Sequence, residues 1–327
     1  MRRRRVVALL AGSAVWPFGA RAQQPAKPVI GFLGSETPAL SATPLRIFRE
    51  ALSQRGFVEG RTVSIEYRWA EGQNDRLPAL AADLVRLQVS VIVAPATTPA
   101  ALAARAATQT IPIVFFTGGD PVALGLVASL NRPGGNVTGA TSLGRELVPK
   151  RLGLLHELMP HATVMALLLN PTNHALAEST GREVQAAADR LGLRLHIVHA
   201  SAERDFDGVF AALPSLRASA LVIAIDSFFT SRREQLGALA LRHGIPAIYQ
   251  YRDFAEAGGV MSYGGDLAEP YRLIGLYTGR ILRGEKPADL PVQQVTKVEL
   301  IINLKAANAL GLAVPQSLLA RADEVIE

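Results

Sequence analysis

The feature that most constrains this chain is an alternation of short β-rich runs with amphipathic helical stretches that runs once, stops and starts again. Residues 29–33 are apolar and end in Gly34-Ser35. Residues 44–55 follow, with Leu45, Phe48 and Leu52 at helical spacing. Residues 62–69 alternate as a strand, with Val63, Ile65 and Tyr67 on one face. A helix over 77–87, a strand over 90–94, a helix over 99–108 and a strand over 113–116 complete the first run. The second has strands at 164–169, 195–199, 221–225 and 247–251, separated by helices at 175–191, 206–216 and 231–242. Such alternation predicts parallel sheets covered by helices, the α/β class.

The two runs share phrasing. Ser90-Val-Ile-Val, a polar loop, an Ala-rich helix and Ile111-Pro-Ile-Val114 are echoed by Ala220-Leu-Val-Ile, a loop, an Ala/Leu helix and Ile245-Pro-Ala-Ile248. Two similar open-sheet lobes in tandem are therefore expected. Candidate crossings between them are 137–142, after the turn-rich Asn131-Arg-Pro-Gly-Gly-Asn136, then 253–259, and 287–296 before a last strand at 298–302. On that reading lobe 1 holds residues 28–140 plus 254–286, and lobe 2 holds 141–253 plus 287–327. Three crossings make each lobe discontinuous and let the pair hinge around a cleft.

The first 22 residues read as an export signal. Arg2 to Arg5 form a positive n-region, residues 6–16 an apolar run of 11, and Ala20-Arg-Ala22 a small-residue cleavage site. The apolar run is too short for a membrane span, which needs roughly 20 residues. Arg3-Arg4-Arg5-Val6-Val7 fits a twin-arginine signal as well as the general secretion route. Cleavage after Ala22 into a periplasm is the expectation. Of the 34 Lys and Arg residues five lie in this segment, so the whole-chain charge of +6 falls to about +1 afterwards. That argues against a nucleic-acid or membrane surface. With no cysteine, neither a disulfide nor a lipid on a cleavage-site Cys is available. The roughly 305 remaining residues suffice for two packed cores.

In open α/β sheets ligands bind beyond the carboxyl ends of the strands. Thr43-Pro44, Thr98-Pro99, Asp120-Pro121 and Asn170-Pro171 each pair a good N-cap with a proline at the first helical position. Capping alone explains each of them, yet together they aim several helix N-termini at one cleft, where an anion is well held. Asp226 ends an apolar run, while Ser231 with Glu234 reads as the capping box of the next helix. Its carboxylate is thus free either for a ligand ammonium or for a salt bridge to Arg232 or Arg252. Phe228 and Phe229 follow, one an aromatic clamp for an apolar ligand body and the other core. The sequence contains no Gly-x-Ser-x-Gly, Walker A, Gly-x-Gly-x-x-Gly or His-Glu-x-x-His motif, and its six histidines are scattered. No catalytic residue, metal site or cofactor is expected.

Longer stretches carry a family resemblance. They are Arg55-Gly-Phe-Val-Glu-Gly-Arg61, Ile65-Glu-Tyr-Arg-Trp-Ala70, Gly118-Gly-Asp-Pro121, Asn131-Arg-Pro-Gly-Gly-Asn-Val-Thr-Gly139, Phe229-Thr-Ser-Arg-Arg-Glu234, Phe254-Ala-Glu-Ala-Gly-Gly259 and Ile301-Ile-Asn-Leu-Lys305. Over essentially its whole length the chain resembles the ABC-transporter substrate-binding proteins of the tryptophan/tyrosine-binding TrpX type. The resemblance implies a type I periplasmic binding fold, two Rossmann-like lobes joined by three hinge crossings. It also implies a monomer that delivers an amino acid or small carboxylate, aromatic ones included, to an ABC permease with its ATPase subunit. Its ligand-binding positions would be Ser35, Glu36, Thr97, Thr98, Thr117, Asp120, Asn170, Asn173, Asp226 and Phe228. Lobe 1 hydroxyls and helix N-termini would hold a carboxylate, and Asn/Asp groups of lobe 2 an ammonium. A periplasmic sensor subunit of the same fold is the main alternative, and an exported hydrolase a lesser one.

Overall fold

The computed structural model describes residues 27–95, 97–142 and 147–327. The expected signal segment, residues 1–22, lies outside the described residues. Lobe 1 begins with β1 (Val29–Gly34), α1 (Ala42–Ser53), β2 (Ser64–Trp69), α2 (Leu77–Arg86), β3 (Val91–Ala94), α3 (Thr98–Ala107), β4 (Ile113–Thr117) and β5 (Val137–Ser142). Lobe 2 continues with α4 (Val148–Leu158), β6 (Val164–Leu169), α5 (His174–Arg190), β7 (Arg194–His199), α6 (Glu203–Ala212) and β8 (Leu221–Ile223). Next come α7 (Ser227–Ser231), α8 (Arg233–Arg242), β9 (Ala247–Tyr249), α9 (Arg252–Glu256) and β10 (Met261–Gly264). The rest is α10 (Ala268–Leu282), β11 (Gln293–Val295), β12 (Glu299–Asn303), α11 (Leu304–Ala309), α12 (Gln316–Leu319) and β13 (Glu324–Ile326).

Lobe 1 carries a six-stranded sheet in the order β11-β5-β4-β3-β1-β2, every pair parallel. Lobe 2 carries seven strands, β13-β12-β10-β9-β8-β6-β7, antiparallel only between β10 and β12. Each lobe therefore contains the same doubly wound order, 2-1-3-4-5 counted from its own first strand, as the internal echo predicts. The central strands read Val-Ile-Val-Ala, Ile-Val-Phe-Phe-Thr and Leu-Val-Ile and are buried throughout. Helices on both sheet faces make unbroken apolar runs the right pattern for them. Leu84, Ala101 and Phe115 fill one face of the first sheet, and Phe48, Tyr271 and Ile274 the other. Leu155, Val184 and Val222 do the same for one face of the second sheet, with Phe206, Phe229 and Leu236 on its reverse.

All three expected crossings move. β5 pairs within the first sheet through Ser142, so residues 137–142 lie inside lobe 1, and the chain is in lobe 2 from α4 onward. Residues 253–259 do not cross. They form α9 and the turn into β10, which pairs with β9 inside the second sheet. Gly258-Gly259 is there because Phe254 packs against that turn: a Cβ on Gly259 would sit 2.1 Å from its ring. The second crossing is at 265–267, so residues 254–264 belong to lobe 2 rather than lobe 1. Residues 287–295 belong to lobe 1 rather than lobe 2, because β11 pairs with β5. The third crossing is therefore at 296–298.

Gly264 ends β10 at the second crossing, where a Cβ would lie 2.2 Å from the Gln250 carbonyl oxygen. That neighbour is backbone and cannot swing aside. Gly264→Ala is expected to cost about 2 kcal/mol or more by forcing β10 off the end of β9, read as a melting temperature lower by several degrees. An unchanged melting temperature in scanning fluorimetry would contradict this packing.

Candidate functional site

The strand order reverses between β1 and β3 in lobe 1 and between β6 and β8 in lobe 2, and a doubly wound sheet opens its crevice at such points. The loops leaving these strands meet. Glu36, Thr97, Thr98 and Gly118 of lobe 1 line one small cavity with Asn173, Leu176, Ile225, Asp226, Ser227, Thr230, Gln250 and Tyr251 of lobe 2. It measures about 20 Å³, room for a single water. The lobes are in contact around it: a Cβ on Gly118 would be 3.8 Å from Ile225, and one on Gly72 would be 3.7 Å from Phe228. The arrangement is closed.

Lobe 1 presents paired hydroxyls. Ser35 Oγ and Thr97 Oγ1 are 2.5 Å apart, and Thr98 Oγ1 and Thr117 Oγ1 2.6 Å apart, all buried. Thr97 also caps α3 by accepting from the Ala100 N–H. The β3–α3 turn thereby ties three strand ends into one polar wall, able to hold a carboxylate through hydroxyls and the first N–H groups of the helix.

Lobe 2 presents an amide–carboxylate network. Asp226 Oδ1 accepts from Asn170 Nδ2 at 2.8 Å and from the Phe228 N–H at 2.9 Å, while Oδ2 accepts from Asn173 Nδ2 at 3.1 Å. Asp226 is the N-cap of α7. Its residue is 4 % exposed, and burial raises its pKa against the pull of these donors. Behind it Thr230 Oγ1 and Tyr249 Oη sit 2.6 Å apart and 2.9 and 3.0 Å from the Asp226 carbonyl oxygen, so one hydroxyl donates to the other and the second to the carbonyl.

Glu36, just beyond β1, joins the cavity to a chamber of about 440 Å³ between α1, the second crossing and the β9–α9 loop. Leu40, Pro44, Ile47 and Leu267 give that chamber an apolar wall, and Arg233 and Asp253 a charged rim. Burial pushes the Glu36 carboxyl up to about 7, opposed by a hydrogen bond from Ser41 and the field of Arg233.

Known proteins share this frame. The model of the ABC transporter substrate binding protein family matches residues 35–326. The chain belongs to that family. It is 27 % identical over 271 residues, 81 % of this chain and 75 % of the relative, to a tyrosine-binding protein of Clostridioides difficile (strain R20291). A conserved domain protein from Vibrio cholerae has a TM-score of 0.83 at 29 % identity, covering 91 % of this chain and 99 % of that one. An ABC domain from Streptococcus pneumoniae in complex with L-Trp gives 0.81 at 25 % identity, covering 92 % and 100 %. A ligand-free, open substrate binding protein from Clostridium difficile gives 0.60 at 24 % identity, covering 91 % and 99 %.

In this ABC substrate-binding protein, Glu36, Thr97, Thr98, Asn173 and Asp226 line the cavity, with Ser35, Thr117 and Asn170 bonded directly behind them. Two expected positions are elsewhere. Asp120 is exposed, spends Oδ1 on the N–H groups of Val122 and Ala123, and lines a separate depression with Leu130 and Gln294. Phe228 is 5 % exposed and stacks on Phe206 at 5.2 Å, so both phenylalanines are core and neither is a clamp. Asp226 is not a free carboxylate either. Arg232 pairs with Glu203 and Arg252 with Glu256 and Glu324, so the salt-bridge alternative fails too. The capping box at Ser231 does not form: Ser231 ends α7, and α8 starts after Arg232. Nor do the four Xaa-Pro junctions cap helices as read, since Ser41, Thr97 and Asn173 precede α1, α3 and α5, and Asp120-Pro121 opens a turn.

The sequence reading missed Thr230, Gln250 and Tyr251. A signal for two of them existed in the echo, because aligning Ile111-Pro112 with Ile245-Pro246 places Gln250 and Tyr251 on Phe116 and Thr117, at the end of an inner strand.

Proposed function

We propose that this protein captures a small solute, an amino acid or a small carboxylate, between its lobes and delivers it to an ABC permease with its ATPase subunit. The observation that carries the reading is the convergence of both switch points on one polar cavity at a three-crossing hinge. Contacts from two lobes to one ligand favour the closed state alone, so ligand energy shifts the population toward it. Similar TM-score coverage with a higher value for the L-Trp complex than for the open protein is in keeping with a closed form here. No helix among the described residues is long and apolar enough to cross a membrane. Export with cleavage after Ala22, monomeric behaviour and the absence of catalysis belong to the same proposal.

Native protein purified from a periplasmic fraction is expected to begin at Gln23 and to release a small molecule on unfolding, identified by mass spectrometry. Adding that molecule to ligand-free protein should reduce the radius of gyration in small-angle scattering. A retained Arg2–Arg5 segment, or an unchanged radius with bound ligand, would overturn export or closure respectively.

A further inference from the structure

We propose that Glu36, and not Asp226, receives the ligand's cationic nitrogen, so that the site takes amino compounds with an apolar body and discriminates against simple carboxylic acids. This rests on the solute-receptor reading and narrows its ligand. Asp226 has both carboxylate oxygens engaged by donors of its own lobe, three of them at 2.8, 2.9 and 3.1 Å. Glu36 is equally buried, at 6 % exposure, yet among the described residues its carboxylate accepts one long bond, 3.4 Å from Ser41 Oγ.

Among the described residues no cation forms an ion pair with it. Arg233 of α8, whose field reaches Glu36, lies 3.4 Å from Asp253 of α9 and also donates to the Thr230 carbonyl. Arg252, on the same chamber, is taken by Glu256 and Glu324. Tyr251 and Tyr271 feel the Glu36 charge from the β9–α9 loop and α10, and Asp226 lines the cavity beside it. All three add negative or neutral groups. A buried carboxylate so placed is costly when ionised unless a cation joins it. The cation arrives with the ligand. Its position at the neck leaves the chamber walled by Leu40, Pro44, Ile47 and Leu267 for the ligand's body and the hydroxyl pairs of lobe 1 for a carboxylate.

A proton competes with that cation, because burial pushes the Glu36 carboxyl up to about 7. Affinity for an amino compound should therefore rise roughly eight- to tenfold from pH 6 to pH 8 and then level off.

The test is calorimetry on mature wild-type protein and Glu36→Gln, with the protein amino acids and the deaminated counterparts indolepropionate and hydroxyphenylpropionate as probes. Melting curves verify that the variant is folded. Wild type is expected to bind an amino acid at least tenfold more tightly than its deaminated counterpart. Glu36→Gln should lose roughly ten- to hundredfold in amino-acid affinity, along with the pH dependence. Unchanged affinity and pH profile in folded Glu36→Gln would overturn the assignment and leave the receptor reading intact. So would equal binding of the deaminated acids by wild type. No binding of any probe overturns the amino-compound class, and a native protein that also releases no small molecule overturns the receptor reading itself.

Discussion

Asp226→Ala is expected to lower the melting temperature by roughly 10 °C. The substitution removes the cap of α7, worth about 1 kcal/mol, and strands the side-chain amides of Asn170 and Asn173 in a buried site. Each unpaired buried amide costs about 1–3 kcal/mol, which brings the total to on the order of 4 kcal/mol. At about 2–4 °C per kcal/mol for lobes of this size, the loss is easily read by scanning calorimetry. Asp226→Asn should be milder, since its carbonyl still accepts from the Phe228 N–H and Asn173 can turn its own carbonyl toward the new amide. Both outcomes differ from the two roles the sequence leaves open, a carboxylate free for a ligand ammonium or one in a salt bridge to Arg232 or Arg252. Unchanged melting in both variants would return Asp226 to the first of those roles.

The error at Asp226 has a definite physical origin. Residues 226–230 fall between the expected strand at 221–225 and the expected helix from 231, so the sequence pattern assigns Phe228 and Phe229 to neither. Tertiary packing overrides that: Phe228 and Phe229 both find partners around Phe206, and the segment coils into a short helix that needs its own cap. The neighbouring reading at 253–259 failed similarly. That segment ends in Gly258-Gly259, and the second glycine is the room that the buried Phe254 ring requires. What was legible rested on long-range regularity. Apolar runs of buried strands, helices between them and the echo of Ile111-Pro-Ile-Val114 pointed to two similar open-sheet lobes, and both sheets have the same order from their own first strands. The family resemblance implied Glu36, Thr97, Thr98 and Asn173 as ligand positions, and all four line the cavity. Whether a polar side chain there is free or already engaged depends on distances between loops far apart in the chain, such as Asn170 and Asp226. Periodicity does not carry that information.

Glu36→Gln is expected to make the ligand-free protein more stable at pH 8 by about 3 kcal/mol and to leave it nearly unchanged at pH 4. The Glu36 carboxyl is raised from 4.5 to about 7 in the folded protein, chiefly by burial. A carboxyl raised on folding favours the folded state while protonated, so its contribution is complete below about 4.5. It is lost as pH climbs through about 7. The shift, at about 1.4 kcal/mol per pH unit, corresponds to the stated 3 kcal/mol, or roughly 6 °C or more in melting temperature. Burial raises the Asp226 carboxyl in the same direction, so wild type alone would mix two groups. The difference between wild type and Glu36→Gln isolates one. Calorimetry at pH 4, 6 and 8 should show that difference opening between pH 5 and 8, and a gap independent of pH would refute a buried carboxylate held by little more than the long Ser41 bond. Glutamine keeps the shape and the Ser41 contact while discarding the charge, so the gain at pH 8 measures what the empty site pays to hold an ion without a counterion. A ligand ammonium that binds there recovers the same free energy, which ties the stability of the empty receptor to its affinity through one side chain.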